Sequence, residues 1–173
     1  MIDINDVGLK LVEETSSILT QTSGDFDFQN PLMDPKELAQ KLHFHMVKND
    51  GLGISACQIG IPLRAFAMRI EQNTPFVLFN PRIVNVSEKE ISMKEGCLSF
   101  PLLFLNVKRP DAVRLRYQTE TGETVTNQFI GMSARIALHE MDHMDGKVFT
   151  SRASPFEAQR ALRKRMILKR KVK

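Results

Sequence analysis

The chain has 173 residues, 42% hydrophobic and 25% charged, with a formal net charge of +4; this is an ordinary globular balance, long enough to bury about 70% of the unfolded surface without staples. No apolar run approaches a membrane span, and only two cysteines, Cys57 and Cys97, exclude a disulfide framework and leave thiols for metal or catalytic chemistry. The charge is uneven: from Arg160 onward there are eight Lys or Arg and no acid, leaving 16 of the 24 bases against all 20 acids in the rest of the chain.

The opening MIDINDVGLKLVEET is acidic and lacks both the apolar core of a signal peptide and the Arg-rich look of a transit peptide. A cytoplasmic protein is expected, in a bacterium or in the host of a phage. No repeat or Pro/Gly-rich linker divides residues 1–173, which are expected to form one domain. A short helix is expected around Val7 to Leu19, then a loop through TSGDFDFQNP.

MDPKELAQKLHFHMVKNDG predicts a helix: Asp34 as cap, Pro35 in the first turn, Glu37 completing a capping box, and Gly51 past the end. Leu38, Leu42, His45 or Met46, and Asn49 mark its inner side. His43 and His45, two apart, do not share a face and so make no metal pair. Strands are expected near 64–70, 76–79, 82–87, 103–108, 112–118 and 123–130, with ETGE as a hairpin turn between the last two. A helix from Met132 to Met144 follows, stopped by Asp145 and Gly146, the glycine suited to a left-handed cap. SPFEAQRALRKRMILKRK starts another, with Ser154 and Glu157 as capping box and a basic end over 160–173. Strands with segregated helices indicate an α+β fold.

The chemistry starts at HEMDH, His139 to His143. On a helix, residues four apart share a face, so both imidazoles can hold one cation while Glu140 projects beside it. The metalloprotease pattern HExxHxxGxxH fails at its last position, which is Phe149, and Glu157, the one glutamate after the motif, is taken up by a helix cap. No His or Cys follows His143, so the third ligand comes from upstream. Cys97 in KEGCLSFP is the better of the two cysteines, because Gly96 lets the backbone approach closely in a strand-like segment. A thiolate and two imidazoles leave one position open for water, the mark of a catalytic site.

At this point the sequence resembles the peptide deformylases. GLGISACQIG (Gly51 to Gly60), EGCLS (Glu95 to Ser99) and HEMDH are similar to that family's three motifs and stand in its order. The likeness runs over roughly residues 35 to 150. It departs from the family at Ser55, where alanine is usual, at Cys57, and at Leu138, where glutamine usually precedes the first histidine.

The resemblance implies antiparallel or mixed sheets around a central helix carrying HExxH, and one divalent cation held by Cys97, His139 and His143. Ferrous iron is the native ion to expect, with zinc, nickel or cobalt able to occupy the site, and these ligands do not choose among them. It implies a water turned into hydroxide by the cation's charge, with Glu140 as general acid and base. The Gln58 amide and the Leu98 N–H would stabilise the developing oxyanion. Gly51 and Gly53 would let substrate approach, and Leu52, Met93, Met132 and Ile136 would form the methionine pocket, with Glu95 on its polar edge and paired to Arg109 behind the metal. Implied partners are N-formyl-Met nascent chains and ribosomal RNA at the basic C-terminal segment, with no membrane contact and a monomeric state.

Overall fold

The structure, a computed structural model, describes residues 9–69 and 75–171. Its helices are α1 (Pro35–Lys48), α2 (Met132–Met144) and α3 (Pro155–Lys171); its strands are β1 (Gly53–Ser55), β2 (Ala65–Arg69), β3 (Pro75–Val86), β4 (Glu90–Cys97), β5 (Phe100–Pro110), β6 (Ala112–Gln118) and β7 (Thr124–Ile130). All pairings between these strands are antiparallel, in one sheet ordered β1-β2-β3-β6-β7 and a separate β4-β5 hairpin. The fold is α+β.

The larger sheet is covered on both faces, and β2 shows why. Successive side chains of a strand point to opposite faces: Phe66 and Met68 pack with Ala137, Leu138 and Met141 of α2, whereas Ala65 and Ala67 pack with Leu38, Leu42 and Met46 of α1. A strand buried on both faces reads as the continuous apolar run AFAM rather than as an alternation. The β4-β5 hairpin closes a third cluster, in which Leu103, Leu105 and Val107 meet Leu19, Cys57 and Phe149.

Several local expectations are corrected. Within Val7 to Leu19, residues 9–16 are not helical and a 3-10 turn spans Ser17–Thr20; Val7 and Gly8 lie outside the described residues. The Val12 N–H donates to the Gln58 carbonyl at 2.9 Å, tying this segment across the chain instead of to itself. In α1, Asp34 caps by accepting from the Lys36 N–H at 2.8 Å, while Glu37 makes no capping box and lies 3.3 Å from Lys41 Nζ. Gly51 does lie past the end of α1, where its N–H donates to Met46 O at 2.8 Å, and the left-handed residue there is Asp50 (φ 51°). Both His45 and Met46 are buried.

The strands expected at 76–79 and 82–87 are one, β3, carried through Asn80-Pro81 by a bulge with Asn80 at φ 49°. The Asn80 side chain supports that backbone by bonding both Phe26 N–H and Phe26 O. Strand β4 was expected only toward Cys97, where the segment reads as strand-like; its run from Glu90 was not. Three of the eight residues in its sequence EISMKEGC are charged, and its inner face includes Glu95.

Candidate metal and catalytic site

Helix α2 is preceded by Gly131 (φ 61°) and followed past its cap by Gly146 (φ 68°), where a side-chain Cβ would lie 2.8 Å from Thr20 O. Every residue from Ala134 to Met144 is buried. A helix enclosed on all sides has no solvent for its polar groups, so Arg135, His139, Glu140, Asp142 and His143 must find partners inside.

Strand β4 brings the third donor. Leu98 and Ser99 turn the chain, Cys97 pairs with Phe100, and the register shifts between Gly96 and Cys97. The result sets Cys97 Sγ 3.2 Å from His143 Nε2, and donor atoms of Cys97, His139 and His143 lie within 4.8 Å of one another. Gly96 serves a different purpose from the one expected. A Cβ there would sit 2.7 Å from the Phe104 ring, so its bare backbone accommodates an aromatic cover.

Behind His139, its Nδ1 meets Glu95 Oε2 at 3.0 Å, which leaves Nε2 for the site side. Glu95 also accepts from Arg109 at 2.7 and 3.0 Å and from Arg135 at 2.7 Å, and Arg109 reaches on to Asp142 at 2.6 Å. The expected Glu95 and Arg109 pair is therefore one edge of a buried network. Burial alone would raise the Glu95 carboxyl, but bonds from His139, Arg109 and Arg135 outweigh it and hold it at about 2.

The electrostatics favour a cation. Burial pushes the His139 imidazole down, yet Cys97, Glu95 and Glu140 together hold it up at about 10, so the pocket stabilises positive charge at that point. Burial, then the charges of His139 and Arg109, push His143 well below its ordinary value and keep it neutral, the form in which a histidine binds metal. Two imidazoles and a sulfur converging at an acidic, buried point fit a borderline-soft divalent ion.

Glu140 is buried, and desolvation raises its carboxyl against the lowering effects of His139, Ser55 and Arg109. Gly53 is explained by it: a Cβ there would come within 2.6 Å of Glu140 Oε1 and 2.7 Å of Ile136 Cγ2. Gln58, in the 3-10 turn Ala56–Ile59, accepts from the Ser55 N–H at 2.9 Å through Oε1. Its amide nitrogen is thereby aimed at Cys97 Sγ and Ser99 Oγ, both at 3.3 Å.

These groups lie on a cavity of about 550 Å³ lined by Gly51, Leu52, Gly53, Glu95, Leu98, Met132 and Ile136 among others. Met93 is the expected pocket residue that does not line it. Four residues along β4 from Cys97, it stands about 13 Å away at roughly 3.3 Å per residue. Leu102 and Phe104 supply apolar wall that was not expected. Cys57 is fully buried, and desolvation raises its thiol to about 12, which makes it an inert packing group. Phe149 fills the place of a protease's last histidine, with its ring 5.7 Å from that of His139.

Sequence reasoning missed Ser55 as a contact of Glu140, and it missed Arg135 and Asp142 as partners in the network. The last two had a signal: Arg135, His139 and Asp142 are spaced four and three apart, one face of a helix. Ser55 had none, since its partner is 85 residues away.

Comparison with known proteins gives a consistent result. Residues 9–159 match the family model described as Polypeptide deformylase. A peptide deformylase of Pseudothermotoga lettingae is 40% identical over 130 residues, 75% of this chain and 74% of its own. The peptide deformylase of Synechococcus elongatus, solved in complex with actinonin, superposes with a TM-score of 0.81 at 32% identity, covering 90% of this chain and 86% of that one. A class I type b peptide deformylase of Acinetobacter baumannii, solved with Met-Ala-Ser bound, gives 0.78 at 30% identity over 83% of this chain and 97% of that one.

Proposed function

The chain belongs to the peptide deformylase family, and on that premise we propose that it removes the formyl group from the initiator methionine of nascent polypeptides and releases formate. The observation that carries this reading is the convergence of Cys97, His139 and His143 donor atoms within 4.8 Å, beside Glu140 and Gln58, on an apolar-walled cavity.

Cys97, His139 and His143 would hold one divalent ion, with ferrous iron the expected native metal and zinc, nickel or cobalt as alternatives. Such an ion supplies Lewis-acid charge that brings the pKa of water toward neutrality and polarises a carbonyl. Glu140 takes a proton from the attacking water and returns it to the amine nitrogen as the C–N bond breaks. One formamide and one water thus become formate and a free amino terminus. Gln58 Nε2, held beside Cys97 on the cavity wall, and the Leu98 N–H would donate to the oxygen that gains charge as water adds to the formyl carbon. Leu52, Met132 and Ile136 would enclose the methionine side chain; Met93 is not part of that pocket. The peptide Met-Ala-Ser seen on the Acinetobacter protein is of the kind such a reaction leaves behind.

The basic C-terminal part of α3 extends this reading to ribosomal RNA. Its bases include Arg160, Arg163, Lys164, Lys169 and Arg170, and binding through them would weaken steeply with salt.

Formate release from formyl-Met-Ala-Ser, measured anaerobically on iron, zinc and nickel forms, tests the central claim. Release is expected from the wild type, with a loss of about a hundredfold or more in Glu140→Ala. No formate from any metal form would sink the proposal. An acetylated or longer unmodified peptide should remain intact; cleavage of either would revive the protease reading.

A further inference from the structure

We infer that Ser55 is a positioning residue for the deformylation reaction, whose hydroxyl divides the work between the two oxygens of Glu140. This inference rests on the functional reading above. Ser55 is fully buried at the end of β1, at the position where the family motif usually has alanine. Its Oγ donates to Glu140 Oε2 at 2.7 Å, with the Glu140 carbonyl a longer alternative at 3.2 Å. A hydroxyl has one proton, and the shorter contact to the charged acceptor takes it.

The consequence lies on the other oxygen. Glu140 Oε1 stands over Gly53, where a Cβ would approach it to 2.6 Å, and both residues line the substrate cavity. With Oε2 anchored, the carboxylate cannot turn its plane, and Oε1 stays presented to the cavity where water and the leaving nitrogen must be served. A catalytic base gains from being held in a near-attack geometry. The Ser55 N–H meanwhile holds Gln58 Oε1, so one residue fixes both the proton carrier and the oxyanion donor. An alanine at 55 keeps the backbone donor to Gln58 Oε1 and loses the hydroxyl, with its bond to Glu140 Oε2 and its capping contact with the Gln58 N–H.

The test is Ser55→Ala, alone and in a Glu140→Gln background, read by steady-state formate release, Met-Ala-Ser binding by calorimetry and bound-metal content. Expected for the single variant is a fall in kcat of about tenfold, the lower range for a hydrogen bond to a charged group, with KM, peptide affinity and metal content unchanged. In the Glu140→Gln background the same substitution should cost nothing further, because residues that act as a unit are non-additive. An unchanged kcat, a rise in KM alone, or an equal loss in both backgrounds would overturn the inference. If Ser55→Ala loses its cooperative melt, Ser55→Cys, a closer match in size with a weaker donor, is judged by the same outcomes. A wild-type chain that releases no formate removes the functional reading and this inference with it; a wild type that works with Ser55→Ala as its equal removes this inference alone.

Discussion

Helices α2 and α3 both carry many charged or ionisable residues, and they treat them in opposite ways. In α2 all residues from Ala134 to Met144 are buried; Arg135, His139 and Asp142 meet charged partners in the interior, and Glu140 bonds the Ser55 hydroxyl. In α3, among the described residues, Arg165 alone is buried, paired with Glu14 at 2.6 and 2.9 Å, while Arg160, Arg163, Lys164, Lys169 and Arg170 are exposed. A buried charge depends on one partner in one geometry, whereas a solvated charge matters mainly through its sign. Chemistry that needs ångström placement suits the surroundings of α2, and binding that needs only a field suits those of α3.

Removing one member of the α2 network sharpens that contrast most. Glu95→Ala leaves Arg109 and Arg135 facing each other without their shared carboxylate, and a loss of about 3–5 kcal/mol is expected by denaturant melts. Bound metal, measured by elemental analysis, should fall with it because His139 loses its support. A variant that melts like the wild type would show that the network is ornamental to stability.

A smaller effect is expected where α3 touches the body. Arg165→Ala should cost about 1–3 kcal/mol through the lost charge-assisted bonds to Glu14. The same substitution should leave kcat for a short formyl peptide unchanged, since neither residue lines the substrate cavity. The pair also carries a pH dependence. The hydrogen bond from Arg165 lowers the Glu14 carboxyl from its ordinary 4.5, against some desolvation. A depressed carboxylate contributes stability that is present above the unfolded value and lost as pH falls through the folded one. Melting temperature below pH 4.5 should therefore drop less steeply in Glu14→Gln than in the wild type; parallel curves would show that the Arg165–Glu14 pair carries no such dependence.

The smallest effect belongs to the exposed bases. Arg163→Ala or Lys164→Ala should change stability by no more than about 0.5 kcal/mol, and should weaken ribosome binding, if α3 docks there, by a salt-sensitive amount. Loss of short-peptide activity in either would erase the distinction between the two helices.

The opposite treatment of charge also shows which features were open to sequence reading. α2 and α3 were legible because helical spacing and caps are local: His139 and His143 share a face whatever surrounds them, and Gly146 permits the left-handed turn that ends α2. β2 was legible as an apolar run. Strand β4 was not, since a strand whose inward residues include Glu95 carries no apolar alternation, and its carboxylate is tolerated only because Arg109 and Arg135 arrive from elsewhere. The segment before Leu19 failed for a related reason. Its backbone is satisfied by Gln58, 46 residues on from Val12, a partner no local pattern announces.

By itself the sequence determined the donor types, the helix that spaces His139, Glu140 and His143, and the resemblance that selected Cys97 as their partner. Tertiary structure alone decided that Met93 lies off the cavity, that Gly53 makes room for Glu140, that Phe149 packs against His139, and that Ser55 holds the carboxylate. Spacing along a helix is fixed by bonds between neighbours, but contact across 85 residues depends on strand register and on a bulge beside Cys97, and these are set only when the whole core closes.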